Sequence, residues 1–222
     1  STRATCVFFS SFGIAYTLRI TDIPATTGHG EPIQRFFKLK DHEHVVAAMS
    51  LDPRVAPKIT PDREGGEPPN HAVAVTTDGY SLRFSLEPFL EPSTRAGRRF
   101  ARPTSGAQIV GVAQTTGNEV IIAATARARA MLCAAQEINF LSGPGKGVIL
   151  IKLPPGADQV LGFIASTGDR DLLTVETNRG ASQTVSTTKY GVTGRGGKGR
   201  ELLQRGQFTR VIPPPVTVPT LD

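Results

Sequence analysis

Arg195, Lys198 and Arg200 stand in the run Gly194-Arg195-Gly196-Gly197-Lys198-Gly199-Arg200. Glycines let backbone N–H groups come close to a phosphate, and cations among them supply the charge that releases condensed counterions when a polyanion binds. The chemistry on offer is anion capture. Three other glycine-containing loops hold related residues: Gly28-His29-Gly30-Glu31-Pro32, Thr94-Arg95-Ala96-Gly97-Arg98-Arg99 and Gly143-Pro144-Gly145-Lys146-Gly147. Arranged around one body, such loops would set phosphate contacts along a curved path, as bending a stiff polyanion requires. The candidate contact residues are Arg83, Arg95, Arg98, Arg99, Arg127, Arg129, Lys146, Arg195, Lys198, Arg200 and Arg205. Any one of these is as readily a solvated surface cation; recurrence at equivalent loops is what favours the set.

Other chemistries find no constellation. His42-Glu43-His44 puts two histidines on one strand face, but no third ligand lies near in sequence, so a solvated strand end is the better reading than a metal site. His71 begins a strand, and Cys6 and Cys133 each lie in an apolar stretch without a positioned base, as core thiols would. Two cysteines give neither a disulfide framework nor a four-ligand zinc site. A G-x-G-x-x-G motif opening a helix is missing as well. No catalytic residue, metal or cofactor is therefore expected. The 25 Lys and Arg against 19 Asp and Glu give a net charge of +6, which suits a polyanionic partner without specifying one. Nothing approaches the ~20 apolar residues of a membrane span, and no charged start leads into an apolar leader, so a soluble, cytoplasmic chain is expected.

The elements that must carry the loops form a repeat. Its hairpins read Cys6-Val7-Phe8-Phe9 with Ile14-Ala15-Tyr16-Thr17-Leu18, then His71-Ala72-Val73-Ala74-Val75 with Tyr80-Ser81-Leu82-Arg83-Phe84. A third is centred on Arg127 and a fourth on Asn178-Arg179-Gly180. A loop glycine follows each turn by 17 or 18 residues, at Gly30, Gly97, Gly145 and Gly197. Each loop leads to a further short strand and a second apolar stretch, giving about four strands per repeat. Residues 123–136 are rich in Ala and Arg, but they lack a helix cap and fall on the third hairpin, so strand is the consistent assignment.

Four-stranded units that cannot bury both faces alone are stable when arranged radially, each blade covering the next. The expectation is an all-β, propeller-like disc of four or five four-stranded blades in one domain spanning 1–222. Its repeats cover about 5–51, 70–113, 118–164 and 171–212, with a Pro/Gly-rich external insert at 52–69 and a tail at 213–222. An all-β sandwich with coincidental glycines is the competing architecture.

The last loop resembles the glycine- and arginine-rich box of the C-terminal domain of the DNA gyrase A subunit, matching its arginine, two glycines, lysine and final glycine. Tyr16-Thr17-Leu18-Arg19 with Asp22-Ile23-Pro24 and Gly28-His29-Gly30-Glu31-Pro32, together with Thr193–Gly199, Leu202 and Arg205-Gly206, look like blades of the corresponding domain of topoisomerase IV. The resemblance covers about residues 5–213. It implies a β-pinwheel whose blades exchange strands and whose basic rim binds and bends duplex DNA. It also implies an accessory role, with the catalytic tyrosine in other parts of the enzyme and not at Tyr16, Tyr80 or Tyr190. Because the best box lies in the last repeat and the first repeat has Glu31, the resemblance leans to topoisomerase IV and to bending without full wrapping. Implied partners are duplex DNA, the N-terminal catalytic part of the same polypeptide and the enzyme's B subunit, with the domain alone a monomer near the bacterial nucleoid. A protein-interaction propeller without DNA binding is the alternative, although the absence of Trp makes a poor hot-spot surface.

Overall fold

Alternation of β-branched and aromatic residues about tight turns produces four hairpins in the computed structural model, which describes residues 3–55, 70–168 and 170–214. Strand accounts for 41% of the structure and helix for 6%, so the helical alternative at 123–136 is gone. The first repeat contributes β1 (Thr5–Ser10), β2 (Ile14–Arg19) and β3 (Val45–Ser50). The second contributes β4 (His71–Thr76), β5 (Tyr80–Ser85), β6 (Arg98–Arg99) and β7 (Ile109–Thr115). The third holds β8 (Val120–Thr125), β9 (Arg129–Ala134), β10 (Phe140–Leu141), β11 (Val148–Ile149) and β12 (Val160–Ser166). The fourth holds β13 (Leu173–Thr177), β14 (Ser182–Val185), β15 (Arg200–Glu201) and β16 (Phe208–Ile212).

Strand exchange completes the first three blades. Blade one runs β3-β1-β2-β6, where β6 comes from the second repeat, and blade three runs β12-β8-β9-β15, where β15 comes from the fourth. Blade two runs β7-β4-β5, with β10 and β11 of the third repeat on the outer side of β5. Blade four, β16-β13-β14, carries three strands among the described residues. The pairing register repeats: Arg98 lies opposite Ala15, Val148 opposite Ser81 and Arg200 opposite Ala130. Strands β3, β7, β12 and β16 pack successively on one another and make the inner side; the donated strands make the rim.

Apolar clusters fill the spaces between blades. Phe9, Phe84, Phe89 and Phe100 meet between blades one and two, with the Phe100 ring edge-on to Phe9 at 5.0 Å and stacked on Phe84 at 4.9 Å. Val73, Val75, Ile121, Met131 and Ile151 join blades two and three, and Ile122, Leu132, Leu173, Val175 and Phe208 join three and four. Because both faces of a central strand are covered, β4 is buried at all six positions, which is why its inner four residues, Ala72 to Val75, read as a continuous apolar run. Each fully buried Leu, Ile or Phe contributes roughly 1.5–3 kcal/mol, so the donated strands are held chiefly by the Phe100, Leu150 and Ile151 side chains that follow them.

The two ends of the row are closed differently. Phe37, with Phe36, Ile33 and Leu39, covers the outward face of Tyr16 and Leu18 on blade one. On blade four the buried side chains Leu173 and Val175 alternate with the less buried Thr174 and Glu176, and Glu176 is paired with Arg210 at 2.6 Å.

Three details depart from the sequence reading. The left-handed turn residue of the third hairpin is Ala128, at φ 54°, not Arg127; it stands where Gly13, Gly79 and Gly180 stand in the others. The glycines that let the donated strand approach its acceptor are Gly97, Gly147 and Gly199, not Gly145 and Gly197. At Gly147 a Cβ would collide with the carbonyl of Ser81, so no side chain fits. The insert expected at 52–69 begins with a residue that is packed inward: Asp52 is buried and its carboxylate is clasped by Arg54 at 2.6 Å, which holds it well below the usual carboxylate range. Residues 56–69, and most of the expected tail, lie outside the described residues.

Candidate nucleic-acid interface

The rim is built from one motif used three times. A glycine with positive φ (Gly97, Gly147, Gly199) turns the chain into a two-residue donated strand. Two apolar residues then dive between blades, and the N–H of the first bonds the carbonyl of the preceding repeat's turn residue: Phe100 to Gly13 at 2.9 Å, Leu150 to Gly79 at 2.8 Å, Leu202 to Ala128 at 2.8 Å. This fixes the glycine loops at the outermost edge of each sheet, where a large ligand can reach them.

The predicted contact residues divide by what their side chains already do. Arg83 leaves the set: it is 3% exposed, and its Nε donates to Ile138 O at 2.7 Å, so it serves the inside of blade two. The sequence could not show this, because Arg83 falls at an inward position of a strand whose outer side is covered by β10 and β11.

Several of the arginines are staples. Arg195 donates from Nε to Glu137 O at 2.7 Å, Arg129 from one terminal nitrogen to Lys198 O at 3.3 Å, and Arg99 to Phe12 O at 3.3 Å. Arg98 is bonded to Pro88 O, and Arg95 reaches Arg35 O at 3.4 Å. Each leaves further N–H donors toward solvent, since a guanidinium has five. Lys146 lies 3.8 Å over the Tyr80 ring and Arg200 sits 5.6 Å from that of Tyr190, both as cation–π pairs. Arg127, Lys198 and Arg205 are exposed and have no side-chain partner among the described residues. In the first repeat the acid Glu31 is taken up by Arg35 at 2.6 Å.

Three further cations stand outside the predicted contact set. Lys38, Arg102 and Lys152 are exposed and carry no side-chain hydrogen bond or ion pair among the described residues. Their backbone N–H groups bond Arg95 O at 2.7 Å, Gly145 O at 2.8 Å and Gly197 O at 2.8 Å, each the residue two before the next repeat's loop glycine position. The signal was present as Phe36-Phe37-Lys38, Phe100-Ala101-Arg102 and Leu150-Ile151-Lys152, two apolar residues followed by a cation.

Among the described residues, the buried titratable groups are held by burial and hydrogen bonds. Tyr16 is buried and its phenol donates to Glu43 Oε1 at 3.0 Å; burial and that carboxylate push its pKa well up. Glu43 also accepts from Ser10 Oγ at 2.5 Å and Lys40 N at 2.8 Å, so the acid between the two histidines is a buried anchor and not a ligand. Burial, with the Glu137 charge, raises the Cys133 thiol to about 12, and burial raises Cys6, which is only half-buried and so less of a core thiol than expected. Among the described residues no three His, Cys, Asp or Glu side chains gather as metal ligands would, and no helix is long and apolar enough to cross a membrane.

A family profile described as "DNA gyrase C-terminal domain, beta-propeller" matches residues 4–52, 70–116 and 119–167, most of the first three repeats. The chain belongs to that family. Among its relatives, the DNA gyrase A subunit of Staphylococcus epidermidis is 28% identical over 202 residues, covering 90% of this chain and 21% of its own length. That of Aminobacterium colombiense is 28% identical over 214 residues, covering 96% and 24%. The chain thus spans under a quarter of these relatives. In fold it is similar to the C-terminal domain of DNA topoisomerase IV (TM-score 0.81, 16% identity, 95% of this chain and 64% of that one). It is also similar to the E. coli ParC C-terminal domain (0.73, 17%, 96% and 82%) and to a DNA gyrase A C-terminal domain (0.68, 18%, 96% and 66%).

Proposed function

We propose that this domain binds duplex DNA along its rim and bends it, as a non-catalytic accessory part of the A subunit of a type II topoisomerase. The observation that carries the reading is the repeated donation of the outermost strand, which brings a glycine loop with Arg or Lys to the same edge of successive blades. Phosphates, not base edges, suit such loops, because backbone N–H groups and dispersed cations carry no sequence code. Contacts spread over several blades offset a bending cost of order 1–6 kcal/mol for 20–30 bp.

The reading extends to bending without complete wrapping, in the manner implied for topoisomerase IV. Supporting it, the first repeat offers Glu31 paired with Arg35 where a phosphate contact would need a free cation. The partners proposed are duplex DNA, the N-terminal catalytic part of the same polypeptide and the enzyme's B subunit, in a bacterial cytoplasm. A duplex-binding and bending assay at two salt concentrations tests the proposal. With about six phosphates neutralised, the log–log slope of affinity against salt should be about −5. A flat response would instead favour a protein-interaction scaffold.

A further inference from the structure

We propose that Lys38, Arg102 and Lys152 form a register-locked row of phosphate stations, one per repeat, distinct from the glycine-loop arginines. This rests on the reading of the rim as a duplex-binding surface. Each of the three follows an apolar pair, and the member next to it, Phe37, Ala101 or Ile151, is buried. Each main chain is pinned by the N–H bond to the following loop, at Arg95 O, Gly145 O and Gly197 O. The backbone at these positions is therefore fixed from both sides while the side chain is exposed and uncommitted. The anchor is what is preorganised: the backbone has little ordering entropy left to lose when a phosphate arrives, and only the side chain remains to be ordered.

The staples differ in kind. Arg98, Arg99, Arg129 and Arg195 each hold a loop carbonyl of a neighbouring segment, so part of their charge is engaged before any ligand binds. Removing one of them disturbs the rim; removing a station removes only charge. The row also has a defined end. In repeat four the equivalent position, five past Gly199, is Gln204, after the half-buried pair Leu202 and Leu203. The DNA track across the row thus covers the loops of repeats one to three and loses its register-locked cation at the fourth.

The test uses the full chain and a short duplex of random sequence, with binding measured over a salt series and bending by fluorescence transfer between end labels. The triple variant K38A/R102A/K152A should melt as the parent does, because the latching bonds are backbone bonds. Its salt slope should shrink in magnitude by up to about three, at 0.9 per phosphate lost. Gln204→Lys should extend the row and steepen the slope by about one. A single control, Arg19→Ala, removes an exposed cation at the far end of β2 and should leave the slope unchanged. A parent that binds with a steep slope alongside a triple variant that keeps it would overturn the row but leave the rim reading standing. So would an Arg19→Ala loss equal to that of one station. A parent with no salt-dependent duplex binding would bring down both.

Discussion

Arg195 donates its Nε to the carbonyl of Glu137 at 2.7 Å while its own backbone N–H bonds the Glu137 carboxylate at 3.1 Å. The last glycine loop is therefore sewn to the preceding repeat by the very arginine that most resembles a phosphate ligand. Lys198 in the same loop is exposed and carries no side-chain partner among the described residues.

Arg195→Ala should consequently cost about 1 kcal/mol of stability, the scale of one hydrogen bond with a charged donor at a solvated site. Lys198→Ala should cost none. Paired thermal melts separate them, and equal melting temperatures would show that the staple is idle.

Arg83→Ala should destabilise by about 3 kcal/mol, because the buried Ile138 carbonyl loses the guanidinium and a void opens beneath β10. The salt dependence of duplex binding should be the same as in the parent when measured below the melting transition. A reduced slope in the folded variant would return Arg83 to the contact set.

Gly79→Ala places a Cβ against the carbonyl of Ile151 at φ 85°, so both strain and collision act. A loss of 2 kcal/mol or more, roughly, is expected from denaturant titration. Ala128→Gly should be near neutral. Relief of a left-handed alanine, about 1–2 kcal/mol, is offset by unfolded-chain entropy of about 0.4–1 and loss of a buried methyl, about 0.8. Consistent with a methyl already accommodated, Ala128 O accepts one donated-strand N–H where Gly13 O and Gly79 O accept two.

Alkali should weaken the fold through Cys133. Its folded pKa is raised from 9.0 to about 12, so the native state keeps the proton that the unfolded chain gives up. The stabilisation is full below pH 9.0 and is lost as pH climbs toward 12. Cys133→Ala should flatten that decline in melts taken between those limits, and in the parent the Cys133 thiol should resist a thiol reagent at pH 8 until denaturant is added. Rapid native labelling of Cys133 would contradict the burial.

The hairpins were legible because a turn such as Thr77-Asp78-Gly79 between apolar runs is a local signal. The loop glycines were displaced by two residues in repeats three and four. Gly145 and Gly197 look the same in sequence as Gly147 and Gly199, and only the approach to Ser81 and Ala130 tells them apart. Likewise, Arg127 marked the third turn because Ala128 carries no signature of a left-handed backbone.

By itself the sequence determined the all-β class, the repeat and the positive charge of the loops, since turn residues, alternation and net charge act over a few residues or over the whole chain. Tertiary structure alone decided which cations face outward. Strand exchange pairs residues about 70 to 85 positions apart, as Arg98 with Ala15 and Arg200 with Ala130, and a side chain's exposure depends on that distant partner. Arg83 is buried because repeat three lies across it, and Lys38, Arg102 and Lys152 share one register because each is latched to the loop that follows.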